Sequence, residues 1–558
     1  MAKAKTKQTS VIETLSLDYQ LAELPSSQHR AGLAGLVLVI QWLEKNPVFQ
    51  QKVEAGAVCQ LTRLDDRGAT INLNQAGIEA LFDEIYAASI EEQERPQPLK
   101  NKQKEVIPPL REEEREVPDA KGKTKTKKFY VYPVVVPAGS FLADPRYDQS
   151  IDGKSGLWIK LWRDMVWSIL RGVPATRKPF EARADGVASK DAADMWDQLI
   201  QPEDFTVDLP STYFLGAQSS NADNVPFKDR ARFQFLLHFW LFAAQIYVPS
   251  VIDNEGKRNF VGYALAIPDV AELDYFCEEL PAILSSRSPE KSGYRPRDCI
   301  VDLAVESALD MMRRLRDRIA QSTGEHSTAS TIFGVDVIHT EKQGNNVRVL
   351  SMTRLDPKET MLDQYSQIRD GFWSPLFRRQ CLLNLVEENP WYMGFDALLC
   401  TLPYEQSIEN EYFKRDVREK LKALISEEKG MDEMTVTSNA TSIETLVFRL
   451  IANYVNRKLK SKYDLKWKSE WKGLKSDELN QRPEYKKYAD MKAKVAKSAF
   501  LDVRSRTEQS DFVNYFVSSL CSVPQHMKSD DFVDLTKALY QETDKIRTLT
   551  LLALSANS

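Results

Sequence analysis

Catalysis would need a nucleophile beside its base, a metal cluster or a cradle for phosphate, and this chain spells out none of them. The five histidines, His29, His238, His326, His339 and His526, are never followed by aspartate, and there is no HExxH or GxSxG. Gly153-Lys154-Ser155 resembles the end of a phosphate-binding loop, yet Asp148 stands where its first glycine belongs. Cysteines at 59, 277, 299, 381, 400 and 521 show no ligand spacing, which argues against a zinc ribbon and a disulfide framework alike. His238, inside FLLHFW with no second ligand in view, reads as a core histidine. No catalytic residue, metal or cofactor is expected. Carboxylates that meet only in space are the remaining route to a nuclease.

What the residues could do instead is bind. Gln218, Ser219, Ser220, Asn221, Asp223 and Asn224 make an amide-rich loop, followed by Lys228, Arg230 and Arg232 at what reads as a basic helix start. Amides can pair with base edges while cations hold phosphates, so Gln218, Ser219, Asn221 and Asn224 are candidate duplex-reading residues and Lys228, Arg230 and Arg232 candidate backbone contacts. Such residues are equally the material of turns and helix caps. The apolar run from Phe233 to Phe242 is expected to be a buried helix supporting the loop.

A second signal lies between Arg449 and Arg506, where seventeen Lys or Arg face seven Asp or Glu in a chain of net charge −5. Lys458, Lys460, Lys462, Lys466, Lys468 and Lys472 are interleaved with Tyr463, Trp467 and Trp471, and Tyr485 and Tyr488 follow. Positive charge with aromatic platforms suits a single strand, because backbone attraction is sequence-blind and every base has a face to stack. A bundle with core aromatics and solvated lysines fits the same residues.

The elements that must position these groups mix strands and helices without regular alternation. Ser27–Lys45 reads as a helix stopped at Asn46-Pro47, with Gly32 and Gly35 leaving room for another backbone. Residues 57–73 read as a hairpin, with Asn74 capping the next helix. From Glu91 to Lys128, Pro, Glu and Lys dominate, and a charged linker or loop is expected over 91–128. Phe129–Pro137 is a strand whose Pro133 demands an edge or a bulge, and Leu157–Arg171 is an aromatic helix. Further hairpins turn near residues 254–257 and 342–346. Arg313, Arg314, Arg316 and Arg318 crowd one helix, either to cradle an RNA backbone or to form a salt-bridged face with Asp310 and Asp317. Beyond about Ile408 only helical spacing remains, recurring at residues 443–455, 512–520 and 532–552. The class is α+β: a mixed amino-terminal domain with several hairpins, then an all-α carboxy-terminal bundle.

With 558 residues and 42% hydrophobic content the chain can build at least two cores, and nucleic-acid contact must come from local patches because the total charge is acidic. No apolar run is long enough for a bilayer and no signal peptide is legible, so a cytoplasmic protein without membrane contact is expected.

Two runs carry a resemblance. Gly216-Ala217-Gln218, Asn221-Ala222, Val225-Pro226-Phe227, Leu236-Leu237-His238-Phe239-Trp240 and Tyr247-Val248-Pro249, with LPSSQHRAGLAGL at Leu24–Leu36, resemble the large subunit of type I-B CRISPR Cascade complexes, in the branch of myxobacterial-type loci. The resemblance implies a non-catalytic subunit that inspects the PAM on target double-stranded DNA, promotes R-loop formation and contacts the displaced strand and the guide RNA (crRNA). The implied partners are Cascade backbone subunits, small subunits and the CRISPR helicase-nuclease. It further implies division into residues 1–430, a PAM-recognition domain, and 431–558, a bundle resembling the small subunit. Met431 and Met434 are then candidate internal starts, since Glu427-Glu428-Lys429-Gly430 would be encoded by purine-rich codons suited to ribosome binding. The competing non-enzyme reading is a protein-only scaffold whose bundle docks a partner.

Overall fold

The computed structural model describes residues 13–101, 103–118, 124–139, 157–170, 174–209, 214–215, 225–253, 255–287, 291–292, 295–323, 331–343, 346–434, 441–521 and 528–558. Gly153-Lys154-Ser155 and His326 lie outside them. Two compact units form: residues 1–250 with 260–359, and residues 251–259 with 360–558.

The first unit opens with β1 (Leu15–Gln20), α1 (Ser27–Leu43), α2 (Pro47–Glu54), the hairpin β2 (Cys59–Leu64) and β3 (Gly68–Leu73), and α3 (Gln75–Ile85). β1 and β2 flank β3 in an antiparallel sheet. The expected cap is present, Asn74 accepting from Gly77 N, and Asn46, expected only as the stop of α1, also caps α2 by accepting from Val48 N.

The charged stretch expected to be a linker folds instead. β4 (Ala88–Arg95), β5 (Arg111–Pro118) and β6 (Thr124–Pro137) form an antiparallel sheet in the order β4-β6-β5. Its charges answer one another along and across the strands: Arg111 meets Glu92 at 2.7 Å and Glu113 at 2.8 Å, Arg115 meets Glu94 at 2.6 Å, and Lys128 meets Glu114 at 3.3 Å. The Arg111 guanidinium holds the Glu92 and Glu113 carboxyls below their ordinary range. Composition hid these strands because β4 shows solvent almost no apolar side, and the anchoring falls to buried Val131 and Tyr132. Tyr132 donates to Ile107 O at 2.9 Å and accepts from Leu99 N at 3.0 Å. Pro133 sits past the β5 ladder, which ends at Val131, so its missing N–H interrupts nothing on that side.

The unit continues through α4 (Leu157–Leu170), α5 (Pro174–Ala184), α6 (Asp191–Leu199), the ribbon β7 (Thr206–Asp208) and β8 (Lys228–Arg230), and α7 (Ala231–Leu236) and α8 (Trp240–Ala243). The chain then builds its main sheet from β9 (Gln245–Ile252), β10 (Arg258–Phe260) and β11 (Tyr263–Val270), with α9 (Leu273–Ser285), the short strands β12 (Lys291–Ser292), β13 (Arg295–Pro296) and β14 (Ile300–Val301), α10 (Glu306–Thr323), β15 (Ile332–Gln343) and β16 (Asn346–Leu355). The order is β10-β9-β11-β15-β16, with β14 parallel to β9.

β11 is buried along its whole length, and register explains how. Arg30 of α1 pairs with Asp269, and Ser27 with Asp336, which lies opposite Ile267. Tyr247, opposite Ala264, instead donates to Asp310 of α10 at 3.1 Å. Odd and even positions of β11 thus face α1 and α10 on opposite sides of the sheet.

The arginines of α10 do not form an open cradle. Asp310, fully buried, receives Arg314 at 2.9 Å, Arg313 at 3.2 Å and Arg287 at 3.5 Å, while Arg314 also reaches Asp298 at 2.9 Å. Arg316 pairs with Glu359 and Arg318 with Glu279. The salt-bridged alternative holds, but most of it is interior rather than solvated.

The second unit is helical: α11 (Glu359–Gly371), α12 (Pro375–Val386), α13 (Phe395–Thr401), α14 (Glu411–Met434), α15 (Ile443–Tyr463), α16 (Ser476–Asn480), α17 (Pro483–Arg504), α18 (Gln509–Tyr515), α19 (Ser529–Gln541) and α20 (Thr543–Ala556). The apolar pattern over 532–552 is two helices, parted at Glu542. α20 is buried from Ile546 to Ala556 and forms the axis on which the others pack, its run TLTLLALSA leaving no polar side to expose. The architecture is α+β with a helical carboxy-terminal part.

Candidate nucleic-acid interface

The two stretches that carry the resemblance meet in space. Ser26 caps α1, and its hydroxyl lies 2.7 Å from His29 Nδ1, while His29 Nε2 lies 2.8 Å from the Asp229 carboxylate. A proton on Nε2 points at the Asp229 carboxylate, and Nδ1 is left to the Ser26 hydroxyl. Phe214 and Phe233 pack on the same imidazole, with centroids at 5.7 and 6.3 Å. One residue earlier, the buried Gln28 amide grips the Leu215 backbone both ways: Nε2 donates to Leu215 O at 3.0 Å and Oε1 accepts from Leu215 N at 3.2 Å. The first turn of α1 therefore ties down both ends of the segment between Leu215 and Asp229. Gly32 and Gly35 let the helix sit this close, because a Cβ there would stand 2.4 Å from Leu236 O and 2.1 Å from Phe239 O.

Gln218, Ser219, Asn221 and Asn224 lie outside the described residues. The cations after them are not a helix start: Lys228 and Arg230 belong to β8, paired with Asp208 and Thr206 of β7. Asp229 turns inward to His29, and strand alternation sends Lys228 and Arg230 outward, both exposed. Among the described residues neither has a carboxylate partner, whereas Arg232, in the first turn of α7, is half-buried and meets Glu203 at 3.4 Å. Phe205 and Phe227 stand exposed on the same ribbon. The expected buried helix over 233–242 is two short pieces, α7 and α8, and His238 is a core residue as read. Its Nδ1 bonds the Tyr86 hydroxyl, and burial pushes its pKa down to about 4.

In the second unit the interleaved aromatics and lysines separate. Trp471 and Tyr488 are buried in a small core with Leu459 and Leu479, and Tyr485 packs edge-on to Trp471 at 5.4 Å. Trp467 closes this cluster yet keeps about half its surface, 49%, open. Lys458, Lys460, Lys462, Lys466 and Lys472 are exposed and, among the described residues, have no carboxylate partner, although Lys458 lies over the Tyr454 ring and Lys462 over that of Tyr463. Lys468 is committed elsewhere, held by Glu484, whose carboxylate raises its pKa, and near Glu470. Met431 and Met434 lie in the last turn of α14. α14 runs unbroken through 430/431, while the compact unit begins at Thr360.

Among the described residues no three His, Cys, Asp or Glu side chains are grouped to hold a metal, and no helix is long and apolar enough to cross a membrane. Comparison with protein families places the chain in a CRISPR class: the type I-B CRISPR Cas8b N-terminal domain matches residues 58–325, and the type I-B CRISPR Cas8b C-terminal domain matches residues 332–557. The chain belongs to the Cas8b family and is a type I-B CRISPR large subunit, a component of a Cascade complex. No curated protein matches it. The seam between the two family domains precedes β15, yet β15 pairs with β11 along its length, so the first hairpin of the C-terminal family domain completes the sheet of the first unit.

The contacts of Gln28 with Leu215 and of His29 with Asp229 join residues about 200 positions apart, which local sequence patterns do not reveal. What the sequence does show is a polar Ser-Ser-Gln-His-Arg run opening an otherwise apolar helix.

Proposed function

We propose that this large subunit recognises the PAM on target duplex DNA with the segment 216–230. Gln218, Ser219, Asn221 and Asn224 supply base-edge or wedge contacts, and Lys228 and Arg230 hold phosphates, with Arg232 as a flanking contact. The observation that carries this reading is the clamp: Gln28 and His29 anchor both ends of an amide-rich segment beside two outward cations. A loop whose ends are fixed loses less entropy on binding than a free one. PAM binding then promotes R-loop formation. Exchange of a DNA duplex for an RNA–DNA hybrid is nearly balanced, so a few kcal/mol at the PAM decides whether strands part. The lysine face of α15 and the segment after it guides the displaced strand, with Trp467 as the open stacking surface. In this reading the chain is non-catalytic, works in the cytoplasm with crRNA, backbone and small subunits, and provides the platform for the helicase-nuclease.

One binding experiment on the assembled complex tests both sites. Gln218→Ala with Asn221→Ala should erase the preference for PAM over non-PAM duplex; an unchanged preference sinks the loop assignment. Replacing Lys458, Lys460, Lys462, Lys466 and Lys472 by Gln should weaken single-strand binding at every sequence and flatten its salt dependence by about 0.7 in slope per lost phosphate contact. A sequence-selective loss contradicts that role, and Lys468→Gln should matter least because Glu484 already holds it.

The protein-only scaffold reading draws on α19, where Phe532, Val533 and Tyr540 lie exposed; failure of the purified chain to retard single-stranded DNA at low salt would favour it. The division at 430/431 is carried forward as a proposal about translation. Residues 431–558, started at Met431 or Met434, form a separate small subunit, whose apolar side is covered in the large subunit by Phe377, Phe395, Phe413 and Val417. A fragment of about 128 residues, the count from 431 to 558, should appear in the mass spectrum of the complex; its absence rules out the internal start.

A further inference from the structure

We propose that the free edge of β16 takes up an extended strand from a protein partner in the complex, pairing with it backbone to backbone. β16 ends the main sheet: β15 pairs along one side of it, and among the described residues no backbone hydrogen bond leaves the other side. An unpaired edge is a template for another strand, and proteins guard such edges by shortness, charge or a kink. The other edges of the described sheets are guarded in this way. β7, β8, β10, β12 and β13 run to no more than three residues. β4 and β5 read ASIEEQER and REEEREVP, and β1 and β2, six residues each, carry Asp18 and Arg63, which pair at 2.8 Å. β16 is ten residues long, holds no acidic residue, and runs Val349-Leu350-Ser351-Met352-Thr353 without a charge. Only a bulge at Leu350, where the register with β15 shifts, interrupts this run.

The side chains define the strand that fits. Register sets Val349, Met352 and Arg354 opposite Thr340, Ile338 and Asp336, on the α1 side of the sheet, and Arg348 opposite Glu341 on the other side. Val349 and Met352 are 38% and 57% exposed, an apolar strip that a neighbouring strand would cover. Arg354 is already answered by Asp269 at 2.8 Å and Asp356 at 3.0 Å, whereas Arg348 makes no ion pair among the described residues. The incoming strand therefore alternates, with apolar side chains beside Val349 and Met352 and a carboxylate beside Arg348 on the opposite face. A second copy of β16 does not supply this. Laid antiparallel about Ser351, it sets Arg348 against Arg354, like charges directly opposed.

Amide hydrogen exchange of the purified full chain and of the assembled complex tests this. Amides of residues 347–355 should exchange at least about tenfold more slowly in the complex. A photo-crosslinking residue at position 352 should label a protein subunit other than this chain, in a stretch that alternates apolar and polar residues and contains Asp or Glu. Val349→Lys with Met352→Lys charges the edge at two exposed positions and should cancel the protection while the thermal midpoint of the chain stays near wild type. Arg348→Glu should cut the labelling about tenfold, and Arg348→Lys should keep most of it. Exchange unchanged on assembly, a label on nucleic acid or on a second copy of this chain, or protection that survives both the paired lysines and Arg348→Glu overturns the proposal.

Discussion

Asp310→Asn should cost the amino-terminal unit about 3–5 kcal/mol, because it removes the one carboxylate on which three arginines converge in the interior. Arg287 has no solvent to turn to: its side chain is fully buried, stacked over Tyr247 at 4.6 Å and bonded to Gln245 and the Tyr247 hydroxyl. Asparagine keeps the volume but not the charge, so the buried guanidinium loses its ion pair with Asp310. Asp317, on the same helix, is half exposed and only 3.6 Å from Arg316 and 4.0 Å from Arg313. Asp317→Asn should therefore cost no more than about 1 kcal/mol. Denaturant unfolding of the two variants reads the difference directly. Equal costs would mean that the buried network contributes nothing beyond surface pairs.

Gly35→Ala should destabilise by about 2–3 kcal/mol, reversing the sign that helix propensity gives, where alanine gains about 1 kcal/mol over glycine. The new methyl would lie 2.1 Å from the Phe239 carbonyl oxygen, backbone that cannot swing aside. Relief requires α1 to lift from the 236–239 turn, and with it the Gln28 and His29 grip on Leu215 and Asp229. Loss of PAM preference should accompany loss of stability. At Gly371, at the end of α11, a Cβ meets nothing within 4 Å, and Gly371→Ala should leave thermal stability near wild type. A stable, PAM-selective Gly35→Ala protein would remove the reason given for glycine there.

Local rules reached far into this fold. The helix stop at Asn46, the cap at Asn74, hairpins at 59–73 and 332–355, and the helical end of the chain all follow from patterns of a few residues. Failure came where a pairing partner distant in sequence decides the outcome. The strands in 91–128 carry cross-strand ion pairs that composition cannot distinguish from solvated charge, and their anchors, Val131 and Tyr132, lie beyond that stretch. Lys228 and Arg230 read as a helix start because their strand partner, residues 206–208, lies on the far side of the loop. The lysines of α15 were legible as a charge excess, but which of the aromatics stay open depends on packing among Trp471, Tyr485 and Tyr488.

Photo-crosslinking tests the recognition role most directly. A crosslinking residue placed at position 221 or 228 in the assembled complex should label the PAM and its flanking base pairs of a target duplex, and lose that label when the PAM is scrambled. Crosslinks spread evenly along the duplex, or confined to protein, would show that the segment held by Gln28 and His29 does not read DNA.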